Sequence, residues 1–416
     1  MEEGRARDIG SAVEALEEGM VRFLSDLIAI PSIGPSSGGQ GEWDRVEMIE
    51  AHARAMGLDD VQRFDVDDPS VASGKRPNLV VWLRKDADRV ASGPRLLVVT
   101  HTDVVPPGNL KDWTGDPFQA RLEDGKVIGR GAEDNGQAIT AALFAAKAVL
   151  DLGLRPAIDV GLVMVADEEV ENAKGIGHLV QEGFFREDDL VLVPDHGEPT
   201  GRLVDVSEKA LTWIKVTTRG RQCHPSMPEL GINAHRAAMR FGVSVDEALH
   251  ARFGEKDSLF DHPVSSFEPT KKEANVENVN MVPGEDVFFI DCRLLPQYRM
   301  ADMLAEMRSV ADRVEADTGA TIALEPVLMD EAAPPTPVDA PVVQQLLRAI
   351  EAVHGNDPYP GGIGGGTCAA YLRRAGLNAA VWETVANMAH APDEYAVVAN
   401  MIGDAKVFAH FFLDHT

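Results

Sequence analysis

The chain has 416 residues, of which 44% are hydrophobic and 25% charged, a globular composition with enough length for two or three domains. Its net charge of -28 argues against nucleic acid and anionic lipid as partners, since capture of either needs basic surface. No apolar run approaches the ~20 residues of a membrane span, and the polar start leads into no apolar signal segment, so a cytoplasmic protein is expected. The cysteines Cys223, Cys292 and Cys368 form no CxxC pair, which leaves neither a disulfide framework nor a thiolate zinc site.

A helical pattern over 13–30 is followed by a Pro/Ser/Gly-rich loop at 31–41. Continuous apolar runs at 96–99, 160–166 and 190–193 read as buried strands, and each ends in charged residues. Between the first two, residues 135–152 are Ala-rich with apolar side chains at helical spacing. Strand, helix, strand predicts an α/β sheet covered by helices, with ligands gathered at the carboxyl ends of the strands. The pattern then changes to a strand at 211–218, a helix at 233–253, strands around Val279 and at 287–292, a helix at 301–318 and a strand at 321–326. That is the order of a β-α-β-β-α-β unit. A Pro-rich linker at 332–337 closes it. The expected organisation is a larger α/β domain made of 1–207 and 330–416, into which an α+β domain of 208–329 is inserted.

His101-Thr102-Asp103 follows the first strand, and alternation along an extended chain puts His101 and Asp103 on one side, where a carboxylate can orient an imidazole. Alone, the triplet fits a structural histidine equally well. Gly129-Arg130-Gly131-Ala132-Glu133-Asp134 sets Asp134 in a glycine-loosened turn before the Ala-rich helix. There it can serve as an N-cap, or as a carboxylate bridging two cations ~3.5–4 Å apart. Asp167-Glu168-Glu169 ends the second strand, where adjacent acids repel unless cations or solvent relieve them. Neighbouring side chains diverge, so Glu169 can bind metal while Glu168 stays free as a general base. After the third strand, Asp195 or His196 offers a further ligand. Strands that each end in ligand-type residues are more specific than any single motif. His390 adds an imidazole from a polar loop. Nitrogen and oxygen donors without thiolates suit Zn²⁺ and tolerate Co²⁺ or Mn²⁺. The run Gly361-Gly362-Ile363-Gly364-Gly365-Gly366-Thr367 lacks the lysine of a phosphate loop and reads as a flexible turn or a close backbone approach to substrate.

Taken together, His101-Thr102-Asp103, Gly129-Arg130-Gly131 with Asp134, Glu168-Glu169, Asp195 and His390 resemble the di-zinc family of acetylornithine deacetylase, succinyl-diaminopimelate desuccinylase, aminoacylase, glutamate carboxypeptidase and carnosinase. The order matches across nearly the whole chain, and 102–108 and 131–135 are similar to a prokaryotic desuccinylase-like branch. The resemblance implies a larger di-zinc catalytic domain of sheet and helices with an inserted ferredoxin-like lid and dimerisation domain. It implies that His101 and Asp195 bind one metal and Glu169 and His390 the other, with Asp134 bridging them and Asp103 orienting His101. Glu168 would take a proton from the water between the metals and pass it to the leaving amine. A cis Asp134-Asn135 peptide is implied as well.

In the lid, Gln222-Cys223-His224-Pro225-Ser226-Met227-Pro228 matches the family's histidine motif, so His224 would stabilise the oxyanion in the partner subunit's site. Asn280 and Arg293 match positions that hold substrate, the arginine suiting a free carboxylate, and Gly366 and Thr367 would add backbone contacts. The implied activity is cleavage of an amide bond in an N-acyl amino acid (deacetylase- or desuccinylase-like) or a short peptide with a free carboxylate. A homodimer with two divalent cations, zinc or else cobalt or manganese, would carry it out. Deacylases of the family often place Glu where this chain has Asp195, and several dipeptidases place Asp, so dipeptidase or carboxypeptidase activity is the alternative. An inactive ligand-binding or scaffold homologue would show a broken site, whereas the five ligand candidates and Glu168 are all present.

Overall fold

The computed structural model describes residues 3–86 and 93–413. The chain forms two compact units, one of 1–206, 336–360 and 367–416 and the other of 207–335 and 361–366.

The first unit carries most of an eight-stranded sheet in the order Val61–Arg63, Leu79–Leu83, Asp159–Val165, Arg95–His101, Leu190–Val193, Ala379–Val381, Leu203–Glu208, Tyr359–Ile363; residues 207–208 and 361–363 of the last two strands are counted with the second unit. Arg95–His101 runs parallel to both Asp159–Val165 and Leu190–Val193, and Leu190–Val193 parallel to Ala379–Val381. Every residue of Arg95–His101 and Asp159–Val165 is buried, which is why these strands read as unbroken apolar runs rather than alternating ones. Leu97, Val99, Val163, Val165, Val191 and Val193 pack on one face beneath the helices Ile176–Gln181 and Cys368–Arg374. The Ala138–Asp151 helix packs on the strands Arg95–His101 and Asp159–Val165 and against the C-terminal helix Val398–Leu413. Its alanines let helix and sheet approach closely.

The N-terminal segment is two helices, Glu3–Glu14 and Glu17–Ile28, rather than one. The Leu16 N–H bonds three residues back, to the Val13 carbonyl. This tightens the chain and starts a new helix whose first turn carries Glu17 and Glu18, favourable at a helix N-terminus.

In the second unit, antiparallel strands lie in the order Ser266–Lys272, Glu285–Leu294, Ala210–Arg219, Thr321–Asp330, with the helices Ala234–Arg252 and Met300–Thr318. This is the ferredoxin-like arrangement that the β-α-β-β-α-β order predicts. Ile214, Val216, Phe288, Ile290, Cys292 and Leu294 point inward, with Phe241 and Met303 among the helix residues of the same core. One strand sits elsewhere than expected. Val279 is 97% exposed and lies outside any strand, and the second strand is Ser266–Lys272. That strand bonds only to Glu285–Leu294 and keeps just Phe267 buried, so as an edge strand it accepts Pro269 and two lysines that masked its pattern.

The second boundary also falls later than 329. Residues 331–335 stay with the second unit, and the chain enters the first at Thr336, whose N–H bonds to Val206 and whose hydroxyl bonds to the Ala379 carbonyl. The glycine-rich 361–366 segment belongs to the second unit. Gly362 N–H bonds to Leu259, Lys209 N–H to Ile363, and Arg293 Nη1 to the Gly364 carbonyl at 2.8 Å.

Candidate metal centre

Three parallel strands deliver their carboxyl ends to one place. His101 is the last residue of Arg95–His101, Glu168 and Glu169 follow Asp159–Val165, and Asp195 follows Leu190–Val193. Asp134 comes from the turn before Ala138–Asp151, where the Asp134-Asn135 peptide is cis. Gly131 opens that turn at φ +75°, and a Cβ there would lie 2.5 Å from Val104 Cγ1, so only glycine fits. His390 stands in the loop after Ala379–Val381, itself at φ +64°.

The side chains from these places converge. Asp134 Oδ1 lies 2.7 Å from His101 Nε2, and Asp134 Oδ2 lies 3.1 Å from His390 Nε2. His101 Nε2 is also 3.2 Å from Asp195 Oδ1, and His390 Nε2 is 3.1 Å from Glu169 Oε2. Donor atoms of His101, Asp134 and Glu169 fall within 4.8 Å of one another, as do those of His101, Glu168 and Asp195. Asp195, not His196, is the residue that the third strand turns toward His101; Asn135 Nδ2 steadies it with a bond of 3.1 Å.

The sequence from 97 to 414 matches the model of peptidase family M20/M25/M40. The chain belongs to this family. It is 33% identical over 413 residues to an uncharacterized metallohydrolase of Methanocaldococcus jannaschii, covering 94% of this chain and 98% of that one. It is 27% identical over 394 residues to a succinyl-diaminopimelate desuccinylase of Alkalilimnicola ehrlichii, covering 93% and 96%. Human carnosine dipeptidase 1 shares the fold, with a TM-score of 0.73 at 17% identity over 98% of both chains. This M20 chain is accordingly a metallohydrolase of amide or peptide bonds.

Enzymes of this family bind divalent metals, and the convergent residues fit such ions. Asp134, Glu168, Glu169 and Asp195 crowd around imidazoles, and Glu169 Oε1 is buried without a hydrogen-bond partner. Carboxylates and imidazoles at this spacing make a hard to borderline donor set. Burial pushes the Glu168 carboxyl well above its usual range, with the Asp195 charge adding to it. Burial and then Asp134 raise Glu169 to about 7, against the pull of His390. Burial works against a charged His101, yet Asp195, Asp103 and Asp134 together hold its pKa well above normal. Hydrogen bonds to Asp134 and Glu169 lift His390 to about 10. Without a cation, protons on these groups partly offset the crowded charge.

Asp103 is tied more closely to the Glu168 loop than expected. Its side chain faces His101 Nδ1 at 3.5 Å while its own carbonyl oxygen is nearer, at 3.1 Å. The carboxylate accepts the N–H groups of Glu168 and Glu169, both at 3.0 Å.

Other candidates lie in the second unit. His224 is exposed, with Nδ1 2.7 Å from Ser226 Oγ. Arg293 Nε bonds to Asp291 at 2.7 Å, and exposed Asn280 stands near Asn278. Gly366 belongs to this unit and Thr367 to the first, where the threonine hydroxyl caps Cys368–Arg374 by accepting Ala369 N–H at 3.1 Å. Sequence reasoning missed Arg45, Glu133 and Glu394. Arg45 is buried beneath the Gly131 turn and donates to Ser32 Oγ at 3.0 Å and to the Thr102 carbonyl at 3.2 Å. Only adjacency to Asp134 and His390 marked the two glutamates.

No helix among the described residues is long and apolar enough to cross a membrane.

Proposed function

We propose that this chain hydrolyses the amide bond of an N-acyl amino acid, or of a short peptide with a free carboxylate, using two divalent cations, zinc or else cobalt or manganese. Asp134 carries the reading: its two oxygens face different histidines, 2.7 Å from His101 and 3.1 Å from His390. A carboxylate that addresses two imidazoles with opposite oxygens is suited to bridge two ions. His101 and Asp195 would complete one position, Glu169 and His390 the other.

Bound there, the ions would supply Lewis acidity toward the substrate carbonyl and lower the pKa of water to about 7. Glu168 lies beside the position of His101 and Asp195 without being needed in it, where it would take a proton from the attacking water and return it to the leaving nitrogen. Asp103 fixes Glu168 through its backbone N–H. Arg293, with Asn280 and the Gly366 and Thr367 backbone, would hold the substrate carboxylate, Arg293 exchanging its bond to Asp291 for it. His224 would serve the partner subunit of a homodimer joined through the lid, as an oxyanion donor.

Aspartate at 195 keeps dipeptidase or carboxypeptidase activity as the alternative within this class. The test is to strip the protein with chelator, restore Zn²⁺, Co²⁺ or Mn²⁺, and offer N-acetyl amino acids, N-succinyl amino acids and dipeptides. Turnover of one class is the expected result. Silence toward every class, with two ions bound per chain, would sink the proposal.

A further inference from the structure

Asp134 and His390 meet at 3.1 Å from segments far apart in the sequence, Asp134 with non-helical φ/ψ (-108°, 96°) in the turn before Ala138–Asp151 and His390 in a loop. Two glutamates outside the proposed ligand set link their segments. Glu133 adjoins Asp134, yet its carboxylate grips the other segment: Oε1 accepts the N–H of Ala386, and Oε2 those of Met388 at 2.5 Å and Ala389 at 3.0 Å. Glu394 follows His390, and its carboxylate reaches the opposite way. Its Oε1 accepts the N–H groups of Glu133 at 3.0 Å and Asp134 at 3.1 Å. Its Oε2 accepts that of Gly131 at 3.1 Å and Arg130 Nη1 at 2.5 Å. Arg130 also donates to the His390 carbonyl at 3.3 Å.

We propose that Glu133 and Glu394 are a crossed pair of positioning residues, each standing on one ligand-bearing segment and gripping the backbone of the other, so that Asp134 and His390 are held together before a cation arrives. The inference rests on the reading of Asp134 and His390 as ligands. The 386–394 loop cannot hold its shape by local preference. Asn387, His390 and Asp393 all adopt positive φ, at +61°, +64° and +51°, a sparsely populated conformation that surrounding structure must hold. Buried carboxylates taking several backbone N–H groups hold it through charge-assisted bonds. Glu394 is 0% exposed and Glu133 3%, so water cannot substitute for either. A preset separation matters because ligands held in place spend no binding free energy on ordering the loop.

The test uses Glu133→Gln and Glu394→Gln, which keep size and shape but turn an NH₂ toward a backbone N–H. Zn²⁺ binding is measured by calorimetry on chelated protein, with kcat and KM on whichever substrate the wild type turns over. Each variant is expected to bind one Zn²⁺ as the wild type does and the other ~10–100-fold more weakly, the usual cost of losing a group behind a ligand. A fall in kcat with little change in KM accompanies it, since no substrate contact is touched. Two Zn²⁺ bound with wild-type affinity in both variants would overturn the clamp. Should a variant not fold, or the wild type bind no Zn²⁺ and so refute the ligand reading instead, amide exchange on metal-free wild type decides. The amides of Glu133, Asp134, Ala386, Met388 and Ala389 are expected to be protected, and exchange at open-loop rates overturns the proposal.

Discussion

The Asp103 carboxylate accepts the backbone N–H of Glu168 at 3.0 Å. With its second oxygen on Glu169 N–H, also at 3.0 Å, it fixes a base candidate and a ligand candidate at once. Its 3.5 Å approach to His101 Nδ1 is the looser contact. An Asp103→Asn change leaves one acceptor and turns an NH₂ toward the other N–H. Turnover should fall ~10–100-fold, as for a lost group behind a metal ligand. Metal content and the thermal midpoint, measured beside kcat, show whether the loop or the ion is affected. Unchanged kcat would mean that Asp103 positions nothing the reaction uses.

Replacing Glu168 separates proton transfer from ion binding. Its oxygen belongs with His101 and Asp195 in one close group, yet the proposed ligand set does not include it. Glu168→Gln should therefore keep two bound ions while kcat drops ~10²–10⁴-fold, the usual contribution of a general base. Metal analysis of the purified variant together with steady-state rates checks both halves. Loss of an ion with the activity would recast Glu168 as a ligand.

Ion affinity should depend on pH. Glu169 sits near 7 and His390 near 10 in the metal-free protein, so at pH 6 both are largely protonated and a cation must displace those protons. Affinity is expected to rise from pH 6 to 8, with protons released on binding. Calorimetry in buffers of different ionisation enthalpy measures the release directly. A binding enthalpy independent of buffer would contradict it.

The parts of the site carried by strands were legible because fully buried parallel strands must be unbroken apolar runs, and the polar residues that end them at His101, Glu169 and Asp195 then stand out. The loop-borne parts were not. His390 and its support from Glu133 depend on contacts between distant segments that leave no local pattern, and His390 was placed only by resemblance. The missed edge strand has the opposite cause. Glu268, Pro269, Lys271 and Lys272 are exposed on it, so one buried Phe267 had to stand for a whole strand, while the apolar Val279 attracted the assignment from an exposed loop.

That contrast can be measured. Phe267 is 2% exposed and packs in the second unit's core, with its ring 6.1 Å from that of Phe253. Phe267→Ala should cost ~3–5 kcal/mol, whereas Val279→Ala should stay within about 0.5 kcal/mol. Denaturant unfolding of both variants gives the comparison, and equal losses would restore a strand at Val279.

Behind the site, Asp404 is wholly buried on the C-terminal helix, its Oδ2 accepting Gln137 Nε2 at 2.9 Å and Thr384 N–H at 3.3 Å while Oδ1 has no partner. Burial lifts its pKa to about 7, and Glu383, close enough for Asp404 to raise it too, is also pushed well up by burial. In the unfolded chain an aspartate titrates at ~4. Between these values the folded protein holds a proton that the unfolded chain has lost, so stability from this group is present below pH ~4 and is lost as pH rises toward 7. Asp404→Asn keeps an oxygen for both donors and cannot ionise. The stability of the variant relative to wild type should therefore increase between pH 5 and 8, by on the order of 1–4 kcal/mol. Denaturation midpoints of the two proteins across that range, at fixed ion content, provide the measurement. A difference that stays constant with pH would show that Asp404 is ionised in the folded state throughout.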